Sequence, residues 1–106
     1  MTEEQKKKRK FRESKKWKLK RLKEKARADN KDEITQKPLR RGWQLHHVDL
    51  NEKNYEDMNK PFVCCNNLTH KFIHWLWLYY RTDETVIDRI KAVMEEMKEV
   101  NKNYIG

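Results

Sequence analysis

The chain holds four histidines, and they fall into two tight pairs: His46 and His47 in "LHHVDL", and His70 and His74 in "THKFIH". Imidazole is the commonest metal-binding side chain and the one whose ordinary proton affinity lies near neutral pH. Four such rings offer two chemistries, holding a divalent cation and moving a proton. His70 and His74 are four residues apart, a spacing that puts both rings on one face of a helix and lets them aim at a common point. The spacing alone is a weak signal, because histidines recur this way on cores and surfaces. The grouping of all four into two clusters, one ending a predicted strand and the other on the helix after the next strand, points to a metal.

The elements that must position these rings are legible in outline. "GWQLHHVDL" alternates after Gly42 as a short strand does, with Trp43 and Leu45 on one side and Gln44 and His46 on the other. Consecutive strand residues face opposite ways, so His46 and His47 cannot both look inward unless the strand ends or twists there. "NEKNYEDMNK" reads as a long loop, and "PFVCC" as a second strand whose leading Pro suits a strand start. "NNLTHKFIHWLWLYYR" has helical spacing, with Asn67 as an N-cap and an aromatic content that predicts the core helix. Thr82 is placed to cap a final helix in which Val86, Ile87, Ile90, Val93, Met94, Met97 and Val100 form one apolar packing stripe.

Composition divides the 106-residue chain unevenly. Residues 1–41 hold 18 Lys/Arg against 7 Asp/Glu, a net of +11, whereas residues 42–106 hold 8 against 10, a net of −2. Residues 3–28 lack Gly and Pro and are rich in helix formers. They predict a basic N-terminal arm over 1–28, partly helical, with a disordered like-charged tail as the alternative for residues 1–12. Residues 29–106 are expected to form one domain, the length being too short for two cores. An arm of this charge binds a polyanion by releasing counterions, and nucleic acid is the expected one, ahead of an acidic membrane surface. Lys15, Lys16, Lys18, Lys20, Arg21, Lys23, Arg40 and Arg41 are the expected DNA contacts, made to phosphates rather than bases. No run of apolar residues is long enough to span a membrane, and "MTEEQKKKRK" does not resemble a secretory signal, so a cytoplasmic location is expected. Cys64 and Cys65 are adjacent, which excludes a Cys-x-x-Cys knuckle; they are read as reduced and packed on a strand.

"LHHVDLN", an Asn-rich loop and "FVCCNNLTHKFIHW" together resemble the HNH, or ββα-metal, endonuclease family, most closely the small HNH proteins of bacteriophages and prophages. The likeness covers residues 32–81. It implies an α+β fold in which two short antiparallel strands with a long loop pack on a helix, flanked by a basic N-terminal helix and a C-terminal helix. It also implies a metal-dependent endonuclease that hydrolyses DNA phosphodiester bonds with weak sequence specificity, using one divalent ion (Zn2+, Mg2+, Mn2+ or Ni2+). By the resemblance His46, His70 and His74 ligate that ion and His47 is the general base. The family's middle Asn falls best on Asn59, with Asn54, Asn66 and Asn67 open, and Asp49 and Asn51 lie close enough to orient a ring through its other nitrogen.

The chain departs from many HNH proteins in lacking the Cys-x-x-Cys pairs of a structural zinc. Stability is then expected from the aromatic helix packed on the hairpin, with Trp75 or Trp77, Phe62 and the stripe of the final helix. Expected partners are DNA and, in a phage setting, other DNA-processing proteins, with no membrane and a monomer or weak dimer. Two alternatives carry different consequences. One is a non-catalytic module whose histidines hold zinc structurally, and the other is a basic adaptor of a phage DNA-processing complex.

Overall fold

A computed structural model describes residues 1–103 of the chain. Its elements are α1 (Glu3–Arg12), α2 (Lys15–Arg27), β1 (Gln44–His47), a 3-10 turn (Glu52–Asn54), β2 (Phe62–Cys65), α3 (Asn67–Tyr80) and α4 (Thr85–Val100). This is an α+β architecture with four helices and one two-stranded antiparallel sheet. The expected strand, loop, strand, helix order is present, and two helices rather than one precede it. No described helix is long and apolar enough to cross a membrane. The chain divides after His70 into two units.

In the first unit, α1 starts in a capping box in which Thr2 accepts from the Gln5 N–H and Gln5 returns a bond to the Thr2 N–H. Ser14 caps α2 by accepting from the Trp17 N–H. Asp29 and Asn30 follow the end of α2, both with left-handed φ, 57° and 60°. Asn30 N–H reaches the Lys25 carbonyl at 2.9 Å and Asp29 N–H the Ala26 carbonyl at 3.0 Å, the paired closure of a Schellman end.

The strands pair Gln44 with Cys65, Leu45 with Cys64, His46 with Val63 and His47 with Phe62. Directly opposed residues share a face, so the ribbon has two sides of different character. One side carries Leu45, His47, Phe62 and Cys64. Trp17 of α2 packs there to make the core cluster of Trp17, Leu45, Phe62 and Cys64, bordered by Phe11, Ala28, Leu39, Trp43 and Met58. The other side carries Gln44, His46, Val63 and Cys65.

This core includes Trp17, and with it the helices of the expected arm; the boundary expected after residue 28 runs through packed structure. Lys stems lie along apolar surface while their ammonium groups stay in water, which lets a lysine-rich helix cover a core with few apolar residues. Glu33 closes the outer edge of β2: its N–H donates to the Cys64 carbonyl at 2.9 Å and its carboxylate accepts the Cys64 N–H at 2.7 Å. Arg27 in turn holds that carboxylate with two guanidinium nitrogens, at 2.7 and 2.9 Å. Cys64 and Cys65 are fully buried free thiols. Burial first, then the nearby carboxylates of Glu33 and Asp32 respectively, push them up to about 11 and about 12.

The second unit, from Lys71 onward, corrects the expectation of an aromatic core helix. Along α3 only Thr69 is buried, while Phe72, Trp75, Trp77, Leu78, Tyr79 and Tyr80 are exposed. In α4 no residue is buried, and Ile90, Val93, Met94, Met97 and Val100 all face solvent. Thr82 does not cap α4. Its hydroxyl donates back to the Leu78 and Tyr79 carbonyls at the end of α3, and Asp83 accepts the Thr85 N–H at the start of α4 instead.

Candidate metal centre

His46 projects from the side of the ribbon opposite Trp17, where it is largely buried. Its ring centroid lies 5.2 Å from that of His70, edge to face at 67°. His70 stands in the first turn of α3, which is pinned from below by Asp32. That carboxylate is fully buried and accepts the N–H groups of Ile34 and Thr35 on one oxygen and of Asn66 on the other, at 2.8–2.9 Å. The Thr69 hydroxyl adds a further bond. Burial pushes the Asp32 carboxyl up, but the donors from Thr35, Asn66, Thr69 and Ile34 outweigh it and hold it below its ordinary value. Asn66 fixes the same junction, accepting the Arg40 N–H at 2.7 Å and donating to the Pro38 carbonyl at 3.1 Å. One turn along α3 comes His74.

One nitrogen from each of His46, His70 and His74 falls within 4.8 Å of the other two. Donors that share a tetrahedral ion at about 2.0–2.1 Å stand roughly 3.4 Å apart, so small rotations about the side-chain bonds bring these three to bonding distance. The set fits a borderline divalent metal, for which neutral imidazole is a suitable ligand. No fourth His, Cys, Asp or Glu joins the group among the described residues. A closed structural zinc site uses four protein ligands, whereas three leave a position for an exchangeable group.

His47 occupies the opposite side of the ribbon from His46, as the two-residue period of a strand requires. β1 ends at His47, and its ring is clamped in the core flank: stacked on Tyr55 at 4.5 Å and 13°, on Trp17 at 5.4 Å and 12°, with the edge of Phe62 at 4.9 Å. Nε2 lies 3.0 Å from the Tyr55 carbonyl oxygen. A carbonyl only accepts, so that partner assigns the hydrogen to Nε2 and leaves the lone pair on Nδ1. Burial pushes the imidazole below its ordinary proton affinity; the Tyr55 carbonyl opposes this, and the Lys8 ammonium adds to the depression. His47 is therefore neutral at pH 7 and able to accept a proton.

The loop that presents the Tyr55 carbonyl is tied by Asp49, which accepts the Asn51 N–H and the Asn54 side-chain amide, each at 2.9 Å. These two bonds, the backbone one first, hold the Asp49 carboxyl below its usual range. Asn51 in turn accepts the Lys53 N–H at 3.0 Å. Asn54 thus braces the loop next to His47. Asn59 lies further on, in a turn closed by its own N–H to Asp57 at 2.9 Å, and Asn67 opens α3. From α1, Lys8 reaches the Glu52 carboxylate at 2.6 Å and sits 5.0 Å over the Tyr55 ring.

The basic residues divide by environment. Lys15, Lys16, Lys18, Lys23, Arg40 and Arg41 are exposed. Lys20 and Arg21 are engaged within the fold: Lys20 lies 3.4 Å from Glu24 and 5.6 Å from the Phe62 ring centroid, and Arg21 stacks at 4.0 Å on Trp43 and donates to its carbonyl at 3.2 Å.

Sequence reasoning did not single out Trp17, Asp32, Glu33 or Tyr55 for the site. Asp32 and Glu33 lie inside the stretch that carries the family likeness, which is the signal that could have marked them. Tyr55 acts through its backbone carbonyl and leaves none. No known family, curated protein or solved structure matches the chain.

Proposed function

We propose that the chain is a metal-dependent endonuclease of the HNH type that hydrolyses DNA phosphodiester bonds. The observation that carries this reading is the convergence of His46, His70 and His74, with the next residue after His46 a fourth imidazole, His47, that is held by its neighbours and kept neutral. A divalent ion on the three imidazoles would act as a Lewis acid toward a phosphate oxygen and the charge that develops as the ester breaks. His46, His70 and His74 would hold that ion. His47 takes a proton from water at Nδ1 as the water oxygen bonds to phosphorus and the bond to the leaving sugar oxygen breaks. Tyr55, through its carbonyl, and Trp17, through its ring, prevent His47 from turning away. The exposed Arg40, Arg41, Lys15, Lys16, Lys18 and Lys23 hold the DNA backbone.

Cleavage of supercoiled plasmid with Mg2+, Mn2+, Ni2+ or Zn2+, paired with metal analysis of the purified protein, tests the assignment. One ion per chain is expected, lost in His70→Ala. His47→Ala should keep the ion and lose about 10²–10⁴-fold in rate, the usual worth of a positioned base. A bound ion with no cleavage under any metal would sink the nuclease reading and leave a structural zinc module that binds nucleic acid.

A further inference from the structure

The second unit carries an apolar face along α4, half-buried at Val86 and Ile87 and exposed from Ile90 onward. Along α4, Val86, Ile90, Val93, Met97 and Val100 follow each other at steps of four, three, four and three residues. That is the 3.5-residue period of a helix-pairing seam, and Ile87 and Met94, seven apart, widen it on one flank. Val93 is 52% exposed, Met97 51% and Val100 75%. Charge narrows the choice of occupant. From residue 71 onward there are six Lys/Arg and six Asp/Glu, a net of zero, while residues 1–70 hold 20 against 11 and carry the whole +9. A neutral apolar face has no attraction for a polyanion, and it does not repel its own copy.

We infer that α4 pairs antiparallel with α4 of a second copy of this chain. Laid antiparallel about the point midway between residues 91 and 92, the seam matches itself: Ile90 meets Val93 of the second copy and Val86 meets Met97, each contact made twice by symmetry. The flanks match in the same register. Arg89, whose guanidinium also donates to Asp83 at 3.1 Å and Thr85 at 2.8 Å in its own chain, lies on one side opposite Glu96 of the second copy, and Ile87 on the other side lies opposite Met94. A parallel pairing would set Arg89 against Met94 and Glu96 against Asn101, with no charge pair gained. The helix is 16 residues long, roughly 24 Å, so two of them bury on the order of 1,000 Å², below the usual range for stable complexes. The association is therefore weak. It does not depend on the reading of the histidine site, but it would bring two such sites into one particle.

Sedimentation of the full-length reduced chain between about 5 and 200 µM, concentrations that bracket a micromolar Kd, tests the pairing. The mass should rise from 13.2 kDa toward twice that value. Val93→Glu should hold it at the monomer, and Val93→Ser should weaken it in the same direction, with circular dichroism checking that each variant stays helical. Arg89→Glu and Glu96→Arg should each weaken association about tenfold or more by setting like charges opposite one another, and combining them should restore it. His70→Ala should leave it unchanged, which separates this test from that of the metal site. Three results would overturn the inference: a wild-type chain that stays monomeric at the highest concentration, whatever other protein covers the face; a dimer indifferent to Val93→Glu; or charge reversals that the double variant does not rescue.

Discussion

Trp17 and Trp75 are the same residue on helices of opposite composition, and the structure treats them oppositely. Trp17 sits in the lysine-rich α2 and is 4% exposed, packed against Phe11, His47 and Phe62; Trp75 sits in the aromatic α3 and is 64% exposed. The first unit is strongly charged and has a core, whereas the second is neutral and shows its apolar side chains to solvent. What decides burial is whether another surface faces the residue. α2 has a ribbon of strand residues to cover, and the seam of α4 is exposed from Ile90 onward.

The largest effect that would break this contrast is on stability. Trp17→Ala should cost about 3–5 kcal/mol in urea unfolding, the range for a buried large aromatic, and should release one face of His47. Trp75→Ala should stay within about 0.5 kcal/mol, as exposed positions do. Equal losses at the two positions would mean that the second unit has a core of its own.

Next comes the anchor beneath α3. Asp32→Asn leaves buried N–H groups without their carboxylate and should cost about 1–3 kcal/mol. The sign of its pH dependence follows from the depressed folded value. Asp32 stabilises the fold fully above its ordinary value of 3.8 and loses that contribution as pH falls through the lower folded value. Wild type should therefore lose more stability than Asp32→Asn in acid titrations below about pH 4.

The smallest effect sharpens the division among basic residues. Removing Arg40 or Arg41 should flatten the slope of log affinity for DNA against log salt by about 0.9 per lost phosphate contact. Lys20→Ala and Arg21→Ala should leave that slope unchanged and lower stability instead, because both groups are already engaged within the fold.

Much of the ribbon was legible in the sequence. Alternation located the first strand and a short run opened by Pro61 the second, and His46 and His47 fall on opposite sides as the two-residue period requires. That the two histidine clusters point to one metal followed from their spacing, whereas the choice of His46 to join His70 and His74 was implied only by the family resemblance. Illegible were the contacts made across long sequence distances by ordinary residues, such as Asp32 to Asn66 and Glu33 to Cys64, since a single acidic residue in a turn looks the same whether or not it is buried. Aromatic density misled for the opposite reason: an apolar helix announces that it wants cover without saying where the cover is.

The two adjacent thiols in β2 have a practical consequence. A thiol reacts as its thiolate, and at neutral pH almost none forms on Cys64 or Cys65 while the strands remain paired. Alkylating reagents and mild oxidants should therefore pass the folded chain by. Their rate of uptake becomes a gauge of how often the ribbon opens, readable on the intact protein without any introduced probe.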